Sequence, residues 1–149
     1  METYFEMKER HQREVNALPL AFAFNRDQYR EKLAAWNITE EEANNGGIVG
    51  IGGGGFIRSS DRDLVISAFE RIAAEEEAAI AADTTGDGFI YQMFLYELNN
   101  HEYSYTGDIT ETLDALKITA EELNNNPALQ NGLKKAVKEI AAAPDPFDL

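Results

Sequence analysis

The sequence predicts an α+β fold: a small antiparallel β-sheet of two to three short strands near the N-terminus, covered by a majority of α-helices. Three observations carry that prediction. Apolar residues after position 60 recur about every 3.6 residues, the helical period. Two strand-like segments, residues 48–51 and 55–58, flank a run of glycines and read as a hairpin. The chain has 149 residues, 44% of them apolar and 27% charged, enough for a single domain over residues 1–143 with a core of its own.

The elements follow in order. Residues 3–17 read as a helix with Phe5 and Val15 on its inner side, stopped by Pro19. Residues 20–24, Leu-Ala-Phe-Ala-Phe, read as a strand bounded by Asn25. Tyr29, Leu33 and Trp36 stand at helical spacing within 27–36. After the hairpin, Ser60 or Asp61 caps a long helix striped by Leu64, Val65, Ala68, Phe69, Ile72 and Ile80. Residues 83–88, Asp-Thr-Thr-Gly-Asp-Gly, break it.

Residues 89–100 form a helix apolar almost all round, the mark of a central, buried element. A second turn is expected at 105–108, then short helices at 108–116 and 119–124. The last helix, 127–142, begins with Pro127 and carries Leu129, Leu133, Ala136, Val137 and Ile140 on one stripe. The tail, residues 144–149, cannot continue a helix and is expected to be flexible.

A weak echo runs through the chain. Residues 33–45, Leu-Ala-Ala-Trp-Asn-Ile-Thr-Glu-Glu-Glu-Ala-Asn-Asn, return as residues 113–125, Leu-Asp-Ala-Leu-Lys-Ile-Thr-Ala-Glu-Glu-Leu-Asn-Asn. Each copy ends one helix with an Ile and caps the next with a Thr. A Glu follows three residues on, Glu42 after Thr39 and Glu122 after Thr119, as in a capping box. Convergence on a good helix–turn–helix corner explains this more simply than duplication. Both copies are acidic, so neither reads DNA.

Charge is concentrated. Of the net −14, the stretch from Glu70 to Glu122 holds thirteen acids against two bases, a net of −11. A field of one sign selects cationic partners. It also argues against direct nucleic-acid binding, which requires Lys and Arg to neutralise phosphates. The chain has no cysteine, so disulfides and thiolate chemistry are excluded. No signal peptide or membrane-spanning run is evident, and a cytoplasmic protein is expected.

Three motifs suggest chemistry. Residues 50–55, Gly-Ile-Gly-Gly-Gly-Gly, have the spacing of a dinucleotide loop but run into a strand, so a flexible hairpin is expected. Residues 83–90 resemble the front of an EF-hand loop, yet its last ligand position is Phe94. The expected outcome is a turn with Asp87 capping the next helix. Glu97 and His101, four apart, share a helix face and suit metal ligation or proton transfer. A structural pair, with Glu97 bonded to His101 or to an arginine, is expected instead. The aromatic set Tyr91, Phe94, Tyr96, Tyr103 and Tyr105 reads as core. No enzyme, metal site or cofactor is expected.

Three blocks carry a family resemblance: residues 18–24 (Leu-Pro-Leu-Ala-Phe-Ala-Phe), residues 52–58 (Gly-Gly-Gly-Gly-Phe-Ile-Arg) and residues 84–98, continued through His101-Glu-Tyr103 and Tyr105-Thr-Gly-Asp108. Over about residues 3–140 the chain resembles an uncharacterised family of small acidic proteins from prophages, plasmids and other mobile elements of gut bacteria. The resemblance implies a mobile-element context in a bacterial cytosol, and no catalytic residue comes with it.

Three functions compete. The first is a protein-binding module that docks its acidic helices on a basic surface, such as the nucleic-acid groove of a host defence nuclease, in the manner of anti-CRISPR or DNA-mimic proteins. Its contact residues would be Glu70, Glu75, Glu76, Glu77, Glu102, Asp108, Glu111, Asp114, Glu121 and Glu122. Duplex DNA carries a charge about every 1.7 Å. A helix over 61–82, roughly 33 Å long, offers only six acids and two bases. Mimicry therefore needs the acids of 97–114 and 119–124 on the same side. The second is a metal-dependent module around Glu97, His101 and Glu102, with Asp83 or Asp87 near. The third is a structural or regulatory accessory of the mobile element, assembling through exposed aromatics.

Overall fold

The computed structural model describes residues 1–143; the tail 144–149, expected to be flexible, lies outside the described residues. Two compact units are present. One, His11–Ala74, holds the sheet; the other, Met1–Arg10 with the chain from Glu75 onward, is helical over its described residues. The boundaries fall inside two helices, α1 (Tyr4–Ala17) and α4 (Arg62–Ala82). Helices form the majority beside a small three-stranded antiparallel sheet, the predicted α+β class.

In the sheet unit, β1 (Ala21–Phe22) is followed by α2 (Arg26–Ala35), and α3 (Glu40–Glu42) widens into a turn over Ala43–Gly47. Then come β2 (Ile48–Gly52) and β3 (Gly55–Arg58), ordered β1-β3-β2 with β3 central. Ala21 faces Phe56 and Val49 faces Ile57, with an irregularity between Gly50 and Gly52. Phe56 and Ile57 are buried, and the rings of Tyr29 and Trp36 meet Phe56 edge-on at 5.1 and 5.6 Å.

The strand predicted for 20–24 shrinks to two residues because the start of α2 takes its end. Asn25 caps α2 by accepting from the Gln28 amide, and the Phe24 amide donates to the Gln28 side chain. Phe24 is left 80% exposed. The inner face of α1 also differs from expectation: Tyr4, Met7 and His11 are buried, whereas Phe5 is half exposed and Val15 only partly covered. Counting apolar residues undervalues the amphipathic Tyr and His, which set this register. Helix α4 is entered through a tight turn, Ser59–Asp61, and the Asp61 carboxylate meets the Arg58 guanidinium at 2.7 Å. Of its striped positions Val65 and Ile72 are buried, while Leu64 and Phe69 remain exposed.

The helical unit comprises α5 (Phe89–Asn100), α6 (Tyr103–Thr106), α7 (Thr110–Leu116), α8 (Ala120–Asn125) and α9 (Pro127–Ala142) with the adjoining parts of α1 and α4. The turn expected at 105–108 becomes α6, closed by Gly107 in the left-handed region. Phe89, Ile90, Met93, Phe94 and Leu98 of α5 form the core with Leu129 and Ala136 of α9. Phe94 of the predicted aromatic core is fully buried, whereas Tyr105 is 81% exposed. Asn126 caps α9, accepting from the amides of Ala128 and Leu129.

The echo is a real structural repeat. Asn37 and Lys117 both adopt φ 56°, closing α2 and α7 in the left-handed conformation. In each corner the following Ile amide returns to a leucine carbonyl, Ile38 to Leu33 at 2.9 Å and Ile118 to Leu113 at 3.0 Å, a Schellman closure. Thr39 and Thr119 then cap the next helix. Only the first corner completes the capping box: the Glu42 side chain returns to the Thr39 amide, and Glu122 makes no such return.

Two glycines let the chain approach α9 closely, Gly86 in the loop before α5 and Gly132 of α9 where it meets α5. A Cβ on Gly86, where φ is +83°, would lie 2.0 Å from the Ala128 carbonyl oxygen, and one on Gly132 would lie 2.5 Å from Ile90. No described helix is long and apolar enough to cross a membrane. Gly86→Ala is expected to lower stability by about 3 kcal/mol. Gly50→Ala, whose Cβ meets nothing within 4 Å, should change it by less than about 0.5 kcal/mol. Urea midpoints for the two variants check the contrast.

Candidate functional site

The Glu97 carboxylate is 3% exposed. It lies on the inner side of α5 and collects donors from α1. The Tyr4 hydroxyl donates to Oε1 at 2.6 Å, and the Lys8 ammonium to the same oxygen at 2.8 Å. His101 Nε2 stands 3.4 Å from the other oxygen. The expected partner was His101 or an arginine; the close ones are Tyr4 and Lys8, about ninety positions away in sequence and so invisible to local spacing. Burial pushes the Glu97 carboxyl up, but the bonds from Lys8 and Tyr4 outweigh it and leave it below the usual carboxylate range. Burial and the bond to Glu97 push the Tyr4 phenol well above its ordinary value. Thr112, fully buried, sends its hydroxyl toward the Glu97 carbonyl at 3.4 Å. A carboxylate held this way is a structural anchor.

The loop after α4 is equally self-sufficient. Asp83, not Asp87, caps α5: one oxygen accepts from the amides of Gly88 and Ile90 at 3.1 and 2.9 Å, the other from the Gly86 amide at 3.0 Å. Burial raises the Asp83 carboxyl and these donors more than reverse the effect, so it too lies low. Asp87 instead accepts from the Asn131 amide at 2.8 Å. The EF-hand-like spelling therefore encodes a helix cap. Among the described residues no group of three or more His, Asp or Glu could hold a metal ion. The glycine run turns a hairpin, with Gly52, Gly53 and Gly54 at positive φ, and leads into β3 rather than a helix. It lacks the helix N-terminus that would receive a pyrophosphate.

The ten acidic residues predicted to bind are distributed unevenly. Glu70 belongs to the sheet unit and the other nine to the helical unit. Glu75 pairs with Arg10 at 2.9 Å, and the same guanidinium holds Glu2. Asp108 accepts from the amide and hydroxyl of Thr110, which hold its carboxyl low. Glu111 stands 3.9 Å from His101. Glu76, Glu102, Asp114 and Glu121 are exposed.

Glu77 of α4 and Glu122 of α8 come together on one cleft of about 370 Å³. Its apolar wall is made by Ile80, Ile118 and Leu129, and Asn125 adds an amide. The wall residues went unrecognised as site residues because, in sequence, each reads as core. The charge also divides sharply: the helical unit has eighteen acids and six bases, a net of −12, and the sheet unit nine and seven, a net of −2.

The fold and site describe a strongly acidic, mostly helical α+β protein with an open anionic cleft. The chain belongs to a family of unknown function, DUF7659, whose model matches residues 3–139. No curated protein and no solved structure matches it.

Because the Glu97 and Asp83 carboxyls lie below their unfolded values, each stabilises the fold above pH about 4 and loses that contribution as pH falls through its folded value. Glu97→Gln should cost about 1–3 kcal/mol at pH 7. It should also flatten the fall in stability below pH about 4. Urea unfolding of both proteins between neutral and acidic pH measures both effects; parallel pH profiles would contradict the assignment.

Proposed function

We propose that the chain is a non-enzymatic binding protein of a bacterial mobile element that docks its acidic helical unit on a basic protein surface in the cytoplasm. Its most concrete form is an inhibitor of a host defence nuclease, occupying the groove that otherwise holds nucleic acid. The observation that carries this reading is the separation of charge, −12 against −2 between the two units. An excess concentrated in one unit gives that unit the more negative field and makes it the side favoured by a cationic partner.

Two further observations support it. The groups best suited to catalysis, Glu97 and Asp83, are engaged by the fold itself. The acids of α7 and α8, Glu111, Asp114, Glu121 and Glu122, are exposed. The mobile-element context rests on the sequence resemblance over the blocks at 18–24, 52–58 and 84–108. A second reading, an accessory protein assembling with its own kind, is favoured by Phe22 and Phe24, which are 56% and 80% exposed beside the glycine hairpin.

Immobilised chain exposed to a host lysate tests the two. The docking reading expects a basic nucleic-acid-binding protein to be retained at low salt, released at high salt and displaced by duplex DNA. The variant Glu102→Gln/Asp114→Asn/Glu121→Gln should retain several-fold less. Retention indifferent to salt and to these substitutions would contradict docking. Recovery of further copies of the chain instead would favour the accessory reading.

A further inference from the structure

We infer that the cleft between α4, α8 and α9 receives an arginine side chain of the partner, with Glu77 and Glu122 gripping its guanidinium. The inference rests on the docking reading above and names the residues that would anchor it.

The cleft has the composition such a side chain requires. Ile80, Ile118 and Leu129 offer an apolar wall to the three-carbon stem, and two exposed glutamates, Glu77 and Glu122, line the same cleft and can meet the head. A volume of about 370 Å³ leaves room for the whole side chain. Among the described residues neither Glu77 nor Glu122 has a hydrogen bond or ion pair for its carboxylate. Glu75, Glu97 and Asp87 of the same unit, by contrast, are matched internally, by Arg10, Lys8 and Asn131. Two like charges lining one cleft, unmatched from within, are complementary to a cation from outside.

The repeated corner supplies the second line of argument. In the first corner Glu42 turns back and closes the capping box on Thr39. In the second, Thr119 accepts from the Glu122 amide, but the Glu122 carboxylate is not returned to the cap and lines the cleft instead. The same local sequence therefore has two outcomes, and the difference leaves the Glu122 carboxylate free of the cap in a residue that lines the cleft. Arginine suits it better than lysine, because its planar, weakly hydrated guanidinium can satisfy two carboxylates at once and tolerates a partly apolar setting. Arginine is also among the residues that dominate interface energetics.

Titration of the isotope-labelled chain with N-acetyl-arginine amide tests the site directly. Resonances of Ile80, Ile118, Asn125 and Leu129 should shift together and saturate. N-acetyl-lysine amide should do so more weakly, and N-acetyl-norleucine amide not at all. Glu77→Gln/Glu122→Gln should weaken the arginine response at least tenfold while leaving the remaining spectrum folded. Scattered shifts, or equal responses to arginine and norleucine, would overturn the inference. Capture from lysate separates its failure from that of the docking reading. If the cleft variant retains the partner as the native chain does while Glu102→Gln/Asp114→Asn/Glu121→Gln does not, the cleft is refuted and docking stands. If both variants retain it fully, docking itself fails.

Discussion

A single carboxylate buried inside an apolar helix sets the terms for the helical unit. Helix α5 is hydrophobic almost all round, and Glu97 is its one charge. Such a group is tolerable in the core only with donors at hand. Tyr4 and Lys8 provide them, which brings the first turns of α1 against α5 although some ninety residues separate them in sequence. The Tyr4 ring also packs edge-on to Phe89 at 5.5 Å and beside Tyr96 at 5.8 Å. One polar requirement and its aromatic surroundings thus fix the chain's beginning to its centre. The same bonds engage the residue that, by position alone, most resembled a catalytic group.

That use of cations inside the fold shapes the surface. Lys8 serves Glu97, and Arg10 bridges Glu2 and Glu75. With the few basic groups of the helical unit partly committed in this way, its exposed acids on α7 and α8 are left with little to balance them. Screening in salt would weaken such a field over distances beyond roughly 8–10 Å but not abolish it at contact. The proposed docking draws on this asymmetry, and it calls for a partner whose own surface is rich in arginine and lysine.

Much of the architecture was legible in the residues, and the failures share a cause. Helices 89–100 and 127–142 were readable to the residue, because Gly88 and Pro127 punctuate strong apolar patterns. The hairpin was readable from its glycines, and the Thr39 and Thr119 corners from their spelling. What local pattern could not show was competition between neighbours and between distant segments. Phe24 left the strand because Gln28 took its amide; Asp83 rather than Asp87 reached the first turn of α5; Tyr4 and His11 rather than Phe5 faced inward. The candidate site was half visible. Glu77 and Glu122 were named as acids, but their meeting depends on α4, α8 and α9 folding around Ile118 and Leu129, which no spacing reveals.

The most direct measurement is the association rate of the chain with the basic protein it captures, followed as ionic strength rises. Electrostatic docking through the helical unit predicts a steep decline for the native chain. It predicts a markedly shallower one once Asp114, Glu121 and Glu122 are neutralised, because steering acts mainly on encounter. An association rate that ignores salt, or one whose salt dependence survives those substitutions unchanged, would contradict it.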